Sequence, residues 1–163
     1  LYTPQTMAEF TKEVTEGNSP VTDELVENGD QTIRDKGETD NITVGMSGNQ
    51  IVYPGGTANS TTIENGGNQM VYFGGTANST TIENGGNQTV YTGGKADRTT
   101  VGKGGTQYVY GTAENTTIGD GGKLIVNTNG TATGVEQQEG AALIATTDKN
   151  TVVSGNNTLG EFS

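Results

Sequence analysis

Short bursts of alternating apolar and polar residues run along this chain and return at a nearly constant interval. In Gln69-Met-Val-Tyr72, and again in Ser79-Thr-Thr-Ile82, every second side chain falls on the same side. A period of two over so few residues predicts short strands with one buried face. The residues from Gly67 to Gly85 nearly duplicate those from Gly48 to Gly66, and a looser copy starts at Gly86. Each unit predicts a strand, a Gly-Gly turn, a second strand and another Gly-rich turn. One unit cannot bury its own apolar face, whereas a stack of units can.

Aligned by their strands, the units give columns. The first strand contributes Ile33, Val52, Val71, Val90, Val109, Val126 and Ile144. The second ends in Val26, Val44, Ile63, Ile82, Val101, Ile118 and Val135, at spacings of 18, 19, 19, 19, 17 and 17 residues. These columns predict an all-β chain: a right-handed parallel β-helix over residues 25–163, a solenoid of about seven 17–19-residue rungs. At about 4.8 Å per rung the stack would be roughly 34 Å tall. Alternation places Gln31, Gln50, Gln69, Gln88 and Gln107 inside as an amide ladder, followed by Leu124 and Ala142. Stacked amides can satisfy one another along the axis. Ala58, Ala77, Ala96, Ala113 and Ala132 form a small-residue column where the cross-section is tight.

Residues 1–24 depart from the repeat. Thr6-Met-Ala-Glu9 reads as a capping box, and Met7, Phe10 and Val14 follow at helical spacing up to Gly17. The expectation is a short helix over residues 7–16 in an N-terminal cap, the alternative being a frayed tail. Ten of the nineteen acidic residues lie in the first forty positions, so the other face of this segment is negative. Leu1 in place of a start methionine suggests a processed or recombinant fragment. An uncapped last rung suggests that the native chain continues past Ser163.

Composition narrows the partners. Only 29% of the residues are hydrophobic and 27 are glycine, too little apolar material for a thick core but enough for a thin stacked column. A net charge of −11 without histidine argues against nucleic acid and anionic lipid as partners. No apolar run is long enough for direct membrane insertion by a helix. Without cysteine there are no disulfides or thiolate metal sites, and no Asp-x-Asp-x-Asp loop is present, so neither metal nor cofactor is expected. Glu27, Glu64, Glu83 and Glu136 are placed in one turn column, interrupted by Gly45, Gly102 and Gly119; this is a solvated acidic edge or a weak calcium or intermolecular contact. Polysaccharide-cleaving β-helices need clustered carboxylates in a groove of long loops, and this chain has spread acids and short turns. It is read as a non-enzyme.

Two outward ladders remain as candidate sites. Tyr53, Tyr72, Tyr91 and Tyr110 fall beside Ile51, Met70, Thr89, Tyr108 and Ile125. This strip is an interaction surface, a stack supporting the fold, or a face covered by the N-terminal segment. Thr43, Thr62, Thr81, Thr100 and Thr117 form the second ladder, with Ser60 and Ser79 alongside. Threonine suits an exposed strand for its β-propensity alone. The functional alternatives are hydrogen bonding across a self-association interface, together with Asn59 and Asn78, and acceptance of sugar. A single Thr column argues against an ice-binding array.

The motif Asn-Gln-x-Val-Tyr-x-Gly-Gly-x-Ala-x-x-Thr-Thr-Ile/Val-x-x-Gly-Gly resembles the AIDA-type repeat of self-associating, antigen 43-like autotransporter adhesins. The resemblance covers about residues 26–163, including Glu139-Gly-Ala-Ala-Leu-Ile144 and Leu159-Gly-Glu-Phe-Ser163; the helical start is not part of it. It implies an exported passenger domain displayed at the bacterial cell surface after passage through an outer-membrane barrel. It also implies homotypic pairing with copies on neighbouring cells, biofilm formation and, in some members, attachment to host cells. Several members are heptosylated on repeat Ser and Thr by a dedicated protein O-heptosyltransferase. The same hydroxyl ladder is therefore a glycan-acceptor candidate by analogy.

Overall fold

The computed structural model describes residues 10–163, so the Thr6-Met-Ala-Glu9 capping box lies outside the described residues. Strands stack rung upon rung in three parallel ladders. The first ladder holds eight strands: Phe10–Val14, Gly29–Ile33, Gly48–Val52, Asn68–Val71, Asn87–Val90, Thr106–Val109, Lys123–Val126 and Ala142–Ala145. The second includes Glu38–Asp40, Thr57–Asn59, Thr76–Asn78, Lys95–Asp97 and Thr112–Glu114. The third includes Thr43–Val44, Thr62–Ile63, Thr81–Ile82, Thr100–Val101 and Thr117–Ile118. The strand Thr131–Gln137 joins both, pairing with Thr112–Glu114 and with Thr117–Ile118. The fold is the parallel β-helix that the columns predict, with eight rungs rather than about seven.

A rung has three faces because three residues turn its corners in the left-handed region. In one turn these are Gly66 at φ +82°, Gly74 at φ +76° and Ser79 at φ +57°. Ser79 breaks the strand predicted over Ser79–Ile82, leaving Thr81–Ile82 to pair, while Thr76–Asn78 forms a further short strand. Serine and asparagine tolerate this conformation better than branched residues do. The Gly-Gly pairs divide two tasks. Gly66 supplies the positive φ, whereas a Cβ on Gly67 would lie 2.3 Å from the Val44 carbonyl oxygen.

The predicted helix over 7–16 is a strand over its described part. Phe10–Val14 pairs in parallel with Gly29–Ile33 across five residues, and Val14 is fully buried. Phe10 and Val14 are four apart, a spacing that fits a helix face and equally a strand face. The open edge of the next rung decides for the strand, because its unpaired backbone groups need partners. Among the described residues the helical element is a 3₁₀ turn at Glu16–Asn18, where the Thr15 N–H donates to Asn18 Oδ1 at 2.8 Å.

The interior is a thin apolar column with a polar thread. Gln107 Nε2 donates to Gln88 Oε1, Gln88 to Gln69 and Gln69 to Gln50, each at 2.7 Å, and Gln50 donates to Gln31 at 2.9 Å. Every amide points the same way, so the N–H end of the thread lies at Gln31. There Gln31 Nε2 donates to the Glu24 carboxylate, which pairs on its other side with Lys12. Buried hydroxyls fill the remaining valences: Thr61, Thr80, Thr99 and Thr116 donate to Gln50, Gln69, Gln88 and Gln107. Among the described residues no buried side-chain N or O lacks a partner. Such a thread is stabilising only because it is complete.

Three predicted column positions shift near the C-terminus. Val126 pairs with Ala145 and Leu124 with Leu143, so Leu143, not Ala142, continues the glutamine column, and Ile144 points outward. Ile118 pairs with Gln137, which moves Val135 into the buried threonine column and Glu136 beside Thr117. A slip of one residue turns every side chain of a strand over. Val152–Asn157 then pairs in parallel with Thr131–Gln137 across an irregularity between Ala132 and Val135, and Gly160–Phe162 pairs antiparallel with it.

Candidate functional site

On the third face Thr43, Thr62, Thr81, Thr100 and Thr117 stand in register, each paired with its equivalent one rung away. Leu25 precedes them and Glu136 follows, so the hydroxyl column has an apolar start and an acidic end. Thr100 is exposed and the others are half-buried. The strands here are two residues long, which sets each threonine next to a corner.

Ser60 and Ser79 are not on this strand but on the corner that precedes it. Both are exposed and left-handed, at φ +54° and +57°. The Ser60 N–H donates to the Asn78 carbonyl at 2.9 Å and the Ser79 N–H to the Asp97 carbonyl at 2.8 Å. A fixed peptide thus presents a hydroxyl outside the body of the rung. Beside this corner, Asn78 Nδ2 donates to Asn59 Oδ1 at 3.1 Å. The second face carries a further hydroxyl column that sequence reasoning missed: Thr57 and Thr76 pair with each other, and Thr112 with Thr131, with Lys95 between. The available signal was the Thr-Ala-Asn triplet, whose buried Ala implies outward neighbours on both sides.

Tyr53, Tyr72, Tyr91 and Tyr110 form a continuous stack. Ring centroids lie 5.4, 4.6 and 6.1 Å apart, with planes within 12° of parallel. Each inner ring has both faces covered by tyrosine, so what it offers outside is its edge and its hydroxyl. Burial pushes the Tyr72 phenol above its usual pKa, and the neighbouring Tyr91 adds to the rise. Next to the stack run Ile51, Met70, Thr89, Tyr108 and Ile125, and then Asn49, Asn68, Asn87 and Thr106. Of the N-terminal segment predicted as a possible cover for this strip, Phe10–Val14 is instead the first strand of the same sheet.

The acidic turn column is shorter than predicted, since Glu136 belongs to the threonine ladder. Among the described residues no group of three potential metal-ligating side chains comes together, and no helix is long and apolar enough to cross a membrane.

Residues 73–113 match a protein-family model described as "Adhesin of bacterial autotransporter system, probable stalk". Among solved structures, the crystal structure of a TibC-catalysed, hyper-glycosylated TibA fragment is similar at a TM-score of 0.65 and 31% identity. The similarity covers 88% of this chain and 60% of that one, so the chain spans about three-fifths of that fragment. No curated protein matches the chain. Over residues 73–113 the repeats are thus similar to AIDA-type adhesin stalk repeats.

Proposed function

We propose that this segment is part of an autotransporter passenger, exported to the bacterial surface, that holds neighbouring copies together through its outward ladders. The observation that carries the proposal is register. Outward groups of one kind repeat at every rung on a scaffold whose interior is fully hydrogen-bonded, so a weak contact made once is available at each rung. The Thr43–Thr117 ladder and the Tyr53–Tyr110 stack are the contact surfaces in this proposal, and copies on neighbouring cells, or a host-cell surface, are the partners.

The test is to couple the chain to beads at graded density. Clumping should fall more steeply than in proportion to density, and excess soluble chain should suppress it. Beads that stay dispersed at full coverage would sink the proposal.

A second reading is supported by the corner geometry and by the glycosylation named for the TibA fragment. Ser60 and Ser79 are exposed hydroxyls on fixed corners, the form in which a transferase could reach an acceptor without opening a strand. Thr43, Thr62, Thr81, Thr100 and Thr117 are the further acceptor candidates. Co-expression with a protein O-heptosyltransferase should add heptose increments to the intact mass, and Ser60→Ala with Ser79→Ala should remove part of them. A mass unchanged by the transferase would exclude this reading.

A further inference from the structure

The corners that lead from the third ladder back to the first carry a dipeptide that ages quickly when it is free. In Asn-Gly the glycine nitrogen has no side chain beside it and can attack the asparagine amide carbon. A succinimide ring closes and ammonia leaves; water then reopens the ring, chiefly to isoaspartate and otherwise to aspartate. Asn65-Gly66 and Asn84-Gly85 place this dipeptide at equivalent corners, and both asparagines are exposed. Burial does not shield them, so any protection has to come from the conformation of the corner.

Both corners are set against ring closure. The Gly67 N–H donates to the Glu64 carbonyl at 2.9 Å and Gly66 takes φ +82°, which makes residues 64–67 a type II turn. The Gly86 N–H makes the same bond to the Glu83 carbonyl at 2.9 Å, with Gly85 at φ +80°. Such a turn holds the asparagine at a ψ of about +120°. Closure needs the following nitrogen eclipsed with the asparagine Cβ, at a ψ of the opposite sign. The nitrogen is also engaged: the Gly66 N–H donates to the Gly85 carbonyl at 3.1 Å and the Gly85 N–H to the Gly104 carbonyl at 3.0 Å. The asparagine side chains lie against the next rung as well. A Cβ on Gly85 would fall 3.0 Å from Asn65 Cγ, and one on Gly104 would fall 2.8 Å from Asn84 Cγ. Apart from the turn, each restraint is supplied by the rung that follows.

We propose that Asn65 and Asn84 are latent modification sites, kept as amides by the rung stacked after each and converted to isoaspartate once that rung leaves. The exchange releases one ammonia and takes up one water per site, and it needs no oxidant or cofactor. An aspartate product fits the corner, because Asp120 already precedes Gly121 in the same column. There the Gly122 N–H donates to the Gly119 carbonyl at 2.9 Å and Gly121 takes φ +78°. An isoaspartate product does not fit. It routes the main chain through the side-chain carbon, lengthens the turn by one atom and carries the Gly66 N–H away from the Gly85 carbonyl. A corner that stays open long enough to react is therefore unable to restack. The site makes opening of the stack irreversible, independently of any contact between copies.

The experiment follows the full chain in warm, mildly alkaline buffer, folded and in guanidinium chloride, and locates isoaspartate by enzymatic methylation and peptide mass. Both sites should react at least about tenfold more slowly in the folded chain, because reaction there waits for local opening. Equal rates in the two states would overturn the proposal. Gly85→Ala then tests the part given to the next rung. Its Cβ displaces the Asn65 side chain, so folded Asn65 should react about tenfold faster than in wild type. In guanidinium Asn65 should be unchanged, whereas Asn84, now followed by alanine, should slow. A Gly85→Ala chain that circular dichroism shows to be folded, and that protects Asn65 as well as wild type does, would remove the next rung from the account. Should the variant fail to fold, the wild-type comparison decides alone. Chains refolded after reaction should recover less strand signal than chains unfolded only briefly, and full recovery would overturn the irreversibility.

Discussion

The rungs up to Gln107 and the rungs after it are built on the same corners, yet their interiors differ. In the first group each rung gives its neighbour a directed bond, from the amide of one glutamine to the carbonyl of the next, and a threonine hydroxyl completes the set. In the second group Leu124 and Leu143 occupy the same column and offer contact without direction. The regular pairing persists through the glutamine rungs. The irregularity between Ala132 and Val135 and the antiparallel strand Gly160–Phe162 lie in the leucine rungs. A directed bond penalises a register slip, because a slipped rung leaves buried donors without acceptors. Apolar contact penalises it less. The polar thread contributes order to the stack, whereas the leucines contribute mainly burial.

Exchanging the two interiors gives the largest expected effect. Gln69→Leu is close in volume but removes the acceptor of both Gln88 Nε2 and the Thr80 hydroxyl. Two buried donors are then stranded, and urea unfolding of the full chain should show a loss of about 2–4 kcal/mol. Leu124→Gln is the reverse exchange and should cost less, about 1 kcal/mol, since its amide can donate to Gln107 and only its carbonyl faces leucine. Equal losses at the two positions would mean that the thread acts as filler. A Gln69→Leu chain as stable as wild type would remove the basis of the comparison altogether.

The same division governs what could be foreseen from the residues. Where glutamine repeats, alternation is unambiguous, and the columns from Ile33 to Val126 and from Val26 to Ile118 are those of the structure. In Ala141-Ala-Leu-Ile-Ala145 apolar residues are consecutive, so the phase is lost and Ile144 is assigned inward although it lies outside. Phe10 and Val14 satisfy two periodicities at once, and the choice between them is made by a neighbouring rung rather than by the segment. The three-faced cross-section depends on a left-handed residue inside Thr-Ala-Asn-Ser-Thr-Thr, where serine gives only a weak local sign. For the candidate site, the hydroxyl and tyrosine residues were legible as outward positions. The placement of Ser60 and Ser79 on a corner required the register.

The smallest expected effect concerns how the leucine end is held from outside. Its last turn is tied down by Asp148, whose Oδ1 accepts from the Thr151 hydroxyl and from the Asn150 and Thr151 backbone N–H groups, all at 2.9 Å. Thr151 in turn accepts from the Asn129 N–H on the preceding rung at 3.1 Å. The Thr151 hydroxyl first, and the Asn150 N–H second, hold the Asp148 carboxyl below its usual value. A lowered pKa in the folded chain means that the stabilisation is present above the unfolded value and is lost as pH falls through the folded one. The last turn should therefore loosen only under acid, below the ordinary aspartate range, while the internal glutamine thread, which contains only amide and hydroxyl side chains from Gln50 to Gln107, does not respond. In a carbon-detected titration, the Asp148 carboxyl should show a midpoint below that of a free aspartate, and Thr151→Val should move it upward. A midpoint at the ordinary value, unmoved by Thr151→Val, would show that the leucine end does without this outer tie and owes its order to burial alone.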